Sequence, residues 1–286
     1  MFKMITKIRH KLLTLEPTKF TPLLAIFFMI THFKDFMDHP AIPALVALIA
    51  AIGLLFENAR GLARYWAVLT ALYAAWVVLN WQLIDNHMYL WGYWLLAITL
   101  SHFSKNKAQS LMVSAQYLIA SCMVYAIIQK MNPTFLSGDF FYFQLLTDSR
   151  FTFIGKLIQF NMVDLIVENK LLMQEVMTNA KTVRLTPGPH VLHIISQCLT
   201  WYVIAIEAAL ALVFLLPRRV AYAWQHWLML LFLSTYFILP IKGFAFALLS
   251  LSFTLIKPTD AGIKLLYLCF MLYIFSFSVM VVNVFF

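Results

Sequence analysis

The run QSLMVSAQYLIASCMVYAIIQKM, Gln109 to Met131, decides the fold class. Between Lys107 and Lys130 it carries no charged side chain, and about 20 predominantly apolar residues are what a helix needs to cross a bilayer. In lipid each backbone N–H and C=O must find its partner within the segment, so a helix is the expected form. Eight further apolar runs bounded by charge or Pro lie outward from it, at 20–33, 41–57, 65–84, 87–103, 191–216, 221–239, 241–256 and 264–285. The reading is all-α: a polytopic integral membrane helical bundle of about nine transmembrane helices. The first and eighth runs are short and open to a re-entrant form. The first follows a basic flank (Lys3, Lys7, Arg9, Lys11) like a signal peptide, but no small-x-small cleavage site comes after it.

Composition agrees. Of 286 residues 63% are hydrophobic and 12% charged, where a soluble domain carries about 25% charge. The 26 Phe, 14 Met, 12 Tyr and 8 Trp exceed what one aqueous core can hide. A net charge of +9 does not make a nucleic-acid binder, because the basic residues are scattered between apolar runs instead of gathered on one face. Cys122, Cys198 and Cys269 lie within apolar runs and signal no disulfide framework.

Cytoplasmic loops carry an excess of Lys and Arg. With the N-terminus inside, the inner segments hold Lys3, Lys7, Arg9, Lys11, Lys19, Arg60, Arg64, Lys105, Lys107, Arg218, Arg219, Lys257 and Lys264 against Glu16, Glu57 and Asp260. The outer loops offer Lys34 with Asp35 and Asp38, then Asp85 alone, and Lys242; residues 132–190 balance five bases with five acids. The charge is therefore a topology signal. It divides one membrane domain, 1–286, into spans one to five (19–131), an outward segment (132–190) and spans six to nine (191–286). Within the outward segment, Phe151, Ile154, Leu157, Ile158 and Val163 to Ile166 recur at helical spacing among charges, which predicts amphipathic helices along the membrane surface.

Few residues within this apolar chain can carry chemistry. His87, Trp91 and Trp94 share a helical face at the outer start of span four, where Asp85 or Asn86 is a natural N-cap. Lys130 ends span five: it either snorkels to the headgroups or is a desolvated base, and Gln116 lies fourteen residues earlier on nearly the same face. Glu207 is the one acid deep within a span. It counts a similar distance from the Arg218-Arg219 turn as His226, which predicts an intramembrane polar pair Glu207–His226 as a tie between helices or a proton path. His190 and His193 at i, i+3 lack a third ligand nearby, and nothing pairs histidines across spans, so neither metal nor haem is expected.

Asn86-His87-Met88-Tyr89-Leu90-Trp91-Gly92 resembles the Asn-His-x-Tyr-Leu-x-Gly segment of the vitamin K-dependent gamma-carboxylase family and its wider relatives with a horizontally transferred transmembrane domain. Lys130-Met131-Asn132-Pro133-Thr134-Phe135-Leu136-Ser137-Gly138 is similar to that family's Lys-Leu-Asn-Pro-x-Trp-Leu-x-Gly, with Met for Leu and Phe for Trp. Glu207, the basic pair and His226 resemble later family positions. The resemblance implies chemistry at the outer membrane face, with Lys130 as the catalytic base toward a hydroquinone and His87 assisting. It further implies a quinone or hydroquinone cofactor, with Asn86, Trp91, Trp94 and Gln116 beside it. The family's large soluble domain for peptide engagement does not follow in these 286 residues, which shifts the expectation from glutamate carboxylation toward peptide modification or maturation. The alternative is a non-enzymatic structural or assembly subunit of a membrane complex, so enzymatic activity stays open. Expected partners are the lipid bilayer and a peptide substrate or membrane protein, with no nucleic acid. The expected location is a bacterial inner (plasma) membrane with the N-terminus cytoplasmic.

Overall fold

The computed structural model describes residues 11–31, 41–82, 84–179, 184–237 and 241–284. The flank Lys3, Lys7 and Arg9, the loop from Lys34 to Asp38, and the Leu239-Pro240 break lie outside them. Among the described residues all regular structure is helical: α1 (Pro17–Thr31), α2 (Ala41–Leu55), α3 (Glu57–Arg60), α4 (Ala63–Leu79), α5 (Asn86–Ser101), α6 (Lys107–Lys130), α7 (Pro133–Leu136), α8 (Asp139–Thr147), α9 (Thr152–Leu157), α10 (Met162–Asn179), α11 (His190–Leu215), α12 (Arg218–Ser234), α13 (Lys242–Thr254) and α14 (Ala261–Val284). Each apolar run is thus a helix near its expected bounds. Length separates them. Among the described residues, α6 (24 residues) and α11 (26 residues) are long and apolar enough to cross a membrane. By contrast α1, α2, α4 and α13 have 15, 15, 17 and 13 residues, roughly 20–26 Å at 1.5 Å per residue against about 30 Å of hydrocarbon. The run expected at 65–84 stops at Leu79 because Asn80 turns back on the helix, its Nδ2 donating to the Trp76 carbonyl at 2.9 Å.

Where the sequence reads as one domain, the chain resolves into two compact units, Met1–Cys122 with Val213–Leu230 and Ile241–Phe286, and Met123–Leu212 with Leu231–Pro240. In the first unit α13 is the core helix, packed on α1, α5 and α14 and buried at Gly243 and from Ala245 through Thr254. One end of this unit is tied by side chains. Lys264 Nζ, fully buried, donates to the carbonyls of Leu12 (2.8 Å), Leu15 (2.6 Å) and Pro258 (2.7 Å). Thr254 Oγ1 donates to Thr21 Oγ1 at 2.9 Å, and the Arg218 guanidinium reaches Met112 Sδ and the Leu255 carbonyl. Gln116 Nε2 donates to the carbonyls of Phe214 (2.8 Å) and Leu216 (3.1 Å), which the end of α11 would otherwise leave open. The N-terminal segment, the start of α6, the 216–218 turn and the 255–260 loop are therefore joined.

The second unit holds the segment between α6 and α11. Pro133 opens α7, and the Asn132 side chain accepts from the Phe135 N–H at 3.0 Å, so Asn-Pro ends one helix and caps the next. Gly138 then takes φ +85°, which a side chain disfavours, and a Cβ there would lie 3.1 Å from Ser196 Oγ on α11. Leu145, Leu146, Phe151, Ile154, Met162, Leu165, Ile166 and Leu192 form the core of the segment. Asn169, buried, clips the returning chain by donating to the carbonyls of Leu146 (3.2 Å) and Thr186 (3.1 Å) and accepting from Thr186 N–H (2.7 Å). At the start of the 3₁₀ turn Ser149–Phe151, Asp148 accepts from the backbone N–H (2.9 Å) and the guanidinium of Arg150.

Candidate functional site

Lys130 stands at the last position of α6, and the helix carries it to Glu207, in the body of α11. Its Nζ donates to both carboxylate oxygens at 2.8 Å and to the Ala126 carbonyl at 3.3 Å, which uses all three ammonium hydrogens. The carboxylate side chain is 7% exposed and that of the lysine 21%. The Lys130 ammonium also lies 5.7 Å from the centre of the Phe135 ring. Phe135 belongs to an apolar cluster with Phe141 and Ile204, so the pair sits beside a dry aromatic wall where charges interact strongly. The arrangement is a hydrogen-bonded acid–base couple: a proton can move from nitrogen to carboxylate without changing the net charge of the pair.

The pairing corrects the expected one. Glu207 takes Lys130, within the second unit, while His226 is in the first unit and fully buried, its Nδ1 3.2 Å from the Tyr267 hydroxyl and its ring edge-on to Tyr222. Equal counts from a turn fix depth along two helices but leave their rotation free, and α11 is rotated so that Glu207 meets α6.

His87 and Lys130 likewise belong to different units. Asp85 is the N-cap of α5 by backbone conformation, though its side chain makes no capping bond; the carboxylate lies 3.8 Å from His87 Nδ1. The other side of the imidazole rests on Gly243, where an added Cβ would come within 2.2 Å of Nε2. Asn86 opens α5 and is exposed. The aromatic face beyond His87 is closed by the chain itself: Phe28 stacks on Trp91 with ring centres 4.1 Å apart, and Phe246 follows at 5.9 Å from Trp91. Trp91 and Trp94 are 0% and 1% exposed, and both indole N–H groups lack an acceptor among the described residues. Trp91 does not offer the ring face that the resemblance implies, because Phe28 covers it, and Trp94 is buried as well. Gln116 is engaged with the α11 carbonyls. His193 is stacked on Tyr142 at 3.7 Å, with His190 6.3 Å from it, and among the described residues no group of three His, Cys, Asp or Glu is placed to hold a metal.

Sequence reasoning missed the role of Gly243 as the seat of His87 and of Lys264 as an anchor. A small residue early in α13 and a lysine at the start of an apolar run carry no local mark of either.

Compared with known protein families, with characterised proteins and with solved structures, the chain has no match. The gamma-carboxylase-like resemblance accordingly rests on the two segments quoted above.

Proposed function

We propose that the chain is a multi-pass membrane protein of the bacterial plasma membrane with the Lys130–Glu207 couple as its acid–base centre at the outer face. The observation that carries this is the couple itself: a lysine bound at 2.8 Å by both oxygens of a buried carboxylate. Ion pairs inside apolar helices are costly and are kept for function or for specific ties. To act as a base Lys130 first passes a proton to Glu207 and then takes one from a weakly acidic hydroxyl, which leaves an ammonium, a neutral carboxyl and the substrate oxyanion, so that the positive and negative charges balance within the site. The substrate class follows the resemblance: a ring-bearing weak acid of hydroquinone type that arrives through lipid and meets Lys130 beside Phe135. Multi-pass topology draws support from the first unit, where the segments assigned to the cytoplasm by their basic residues are joined to one another.

The test is hydroquinone consumption in nanodiscs under oxygen. Wild type is expected to exceed empty discs, and Lys130→Arg to fall to the empty-disc rate because guanidinium stays protonated. Equal rates for wild type, Lys130→Arg and empty discs would leave the couple as a structural tie. That second reading, an assembly subunit, is favoured by one feature: every hydrogen of the ammonium is already engaged. Topology is read separately, in a background without native Cys. Ser137→Cys and Arg219→Cys, both at exposed positions, should label with an impermeant thiol reagent from opposite sides.

A further inference from the structure

Helix α10 has two apolar faces. Met162, Leu165, Ile166 and Asn169 are buried in the unit, whereas Val163, Val167 and Leu171 on another side are 53%, 53% and 58% exposed. Residues four apart on a helix lie one above another, so these three form a single stripe. At 100° per residue Lys170 borders the stripe on one edge and Asp164 and Glu168 on the other. The exposed side of the helix thus carries an apolar stripe between charged edges over its first ten residues, with Gln174 and Thr178 continuing the same line as polar residues toward its end.

The occupant follows from where the chain leaves and returns. The segment carrying α10 starts at the end of α6 and ends at the start of α11, the two helices of membrane length. Both junctions expose apolar side chains of their own, Ile128 and Met131 at 60% and 53%, and Val191 and Ile194 at 38% and 51%. An apolar stripe edged by charges of both signs complements a zwitterionic headgroup layer over acyl chains, into which an in-plane helix sinks about 5–10 Å.

We propose that α10 lies in the outer leaflet of the bilayer with Val163, Val167 and Leu171 in contact with acyl chains. It thereby holds the 132–190 segment, and with it the Phe135 side of the Lys130–Glu207 couple, at the membrane surface. This rests on the membrane reading above. The apolar positions expected to face the membrane divide between two sides, since Ile154, Leu165 and Ile166 turn out to be internal while Leu157 and Val163 are exposed.

The test uses the full-length protein in phosphatidylcholine–phosphatidylglycerol vesicles, with Cys122, Cys198 and Cys269 changed to Ser. A nitroxide is attached in turn through Val163→Cys, Val167→Cys and Leu171→Cys. Ile128→Cys on α6 serves as the lipid reference and Lys156→Cys, at an exposed position, as the water reference. Collision with oxygen should exceed collision with a water-soluble nickel chelate several-fold at all three α10 sites and at Ile128, with the order reversed at Lys156. If Ile128 behaves as lipid-facing while the α10 sites match Lys156, or are shielded from both reagents as under a protein partner, the proposal is overturned and the membrane reading stands. If Ile128 also matches Lys156, both fall.

Discussion

Lys130 and Glu207, 77 residues apart, meet in a two-pronged contact, with Nζ 2.8 Å from each carboxylate oxygen. Removing one partner strands the other charge in an apolar setting, which typically costs about 3–5 kcal/mol, whereas replacing both by apolar groups is nearly neutral or stabilising. Lys130→Met and Glu207→Leu should each lower the unfolding midpoint in detergent well below that of the double variant. A double variant as unstable as the two singles summed would mean that the pair is not coupled.

Gly243 is expected to resist enlargement for one reason, the imidazole of His87. Gly243→Ala places a methyl where Nε2 sits 2.2 Å away, and overpacking of this kind costs about 1–3 kcal/mol. Adding His87→Ala should return most of the loss. Thermal unfolding of the four-member cycle checks this, and an additive outcome would place the strain elsewhere.

Lys264→Met removes the donor shared by Leu12, Leu15 and Pro258 and leaves three carbonyls to find new partners. Each such group left unsatisfied costs about 1–3 kcal/mol. Faster amide exchange is expected over residues 11–16, with α8 to α10 unaffected. Unchanged protection at the N-terminal segment would show that the anchor lies in other contacts.

Burial pushes the Asp148 carboxyl up, but the hydrogen bonds and charge of Arg150, with Lys170 behind them, outweigh it and hold the group below the ordinary carboxylate range. A group depressed in the folded state adds stability above its unfolded value, about 3.9, and loses that contribution as the pH falls through the folded one. The midpoint difference between wild type and Asp148→Asn should therefore be full at neutral pH and shrink below about pH 4. A difference independent of pH would assign the effect to the turn geometry alone.

The nine apolar runs become helices because charge, Pro and Asn punctuate them in the sequence, and the caps at Asn80 and Asn132 act as their residue types dictate. What remained hidden is rotation. A helix such as α13, apolar nearly all round, can bury any face, so nothing local foretold that it would be the core of a unit or that Gly243 would receive His87. The same freedom concealed the partner of Glu207: the sequence sets Lys130 at the end of one helix and Glu207 in the body of another, and neither the tilt nor the rotation that brings them together is marked in it. The stacked rings of Phe28 and Trp91 were illegible for the related reason that an aromatic face looks the same whether a ligand or another side chain covers it.

The anchoring of Lys264 also sets an order of events during synthesis. Its carbonyl partners Leu12 and Leu15 emerge early, yet the ammonium that holds them appears some 250 residues later, at the start of α14. The first unit, assembled from three separated stretches of chain, stays open until that helix is made, whereas the stretch Met123–Leu212 is complete long before. Ribosome-bound chains stopped short of α14 should therefore have a folded 132–190 segment while residues 11–16 are still accessible to protease.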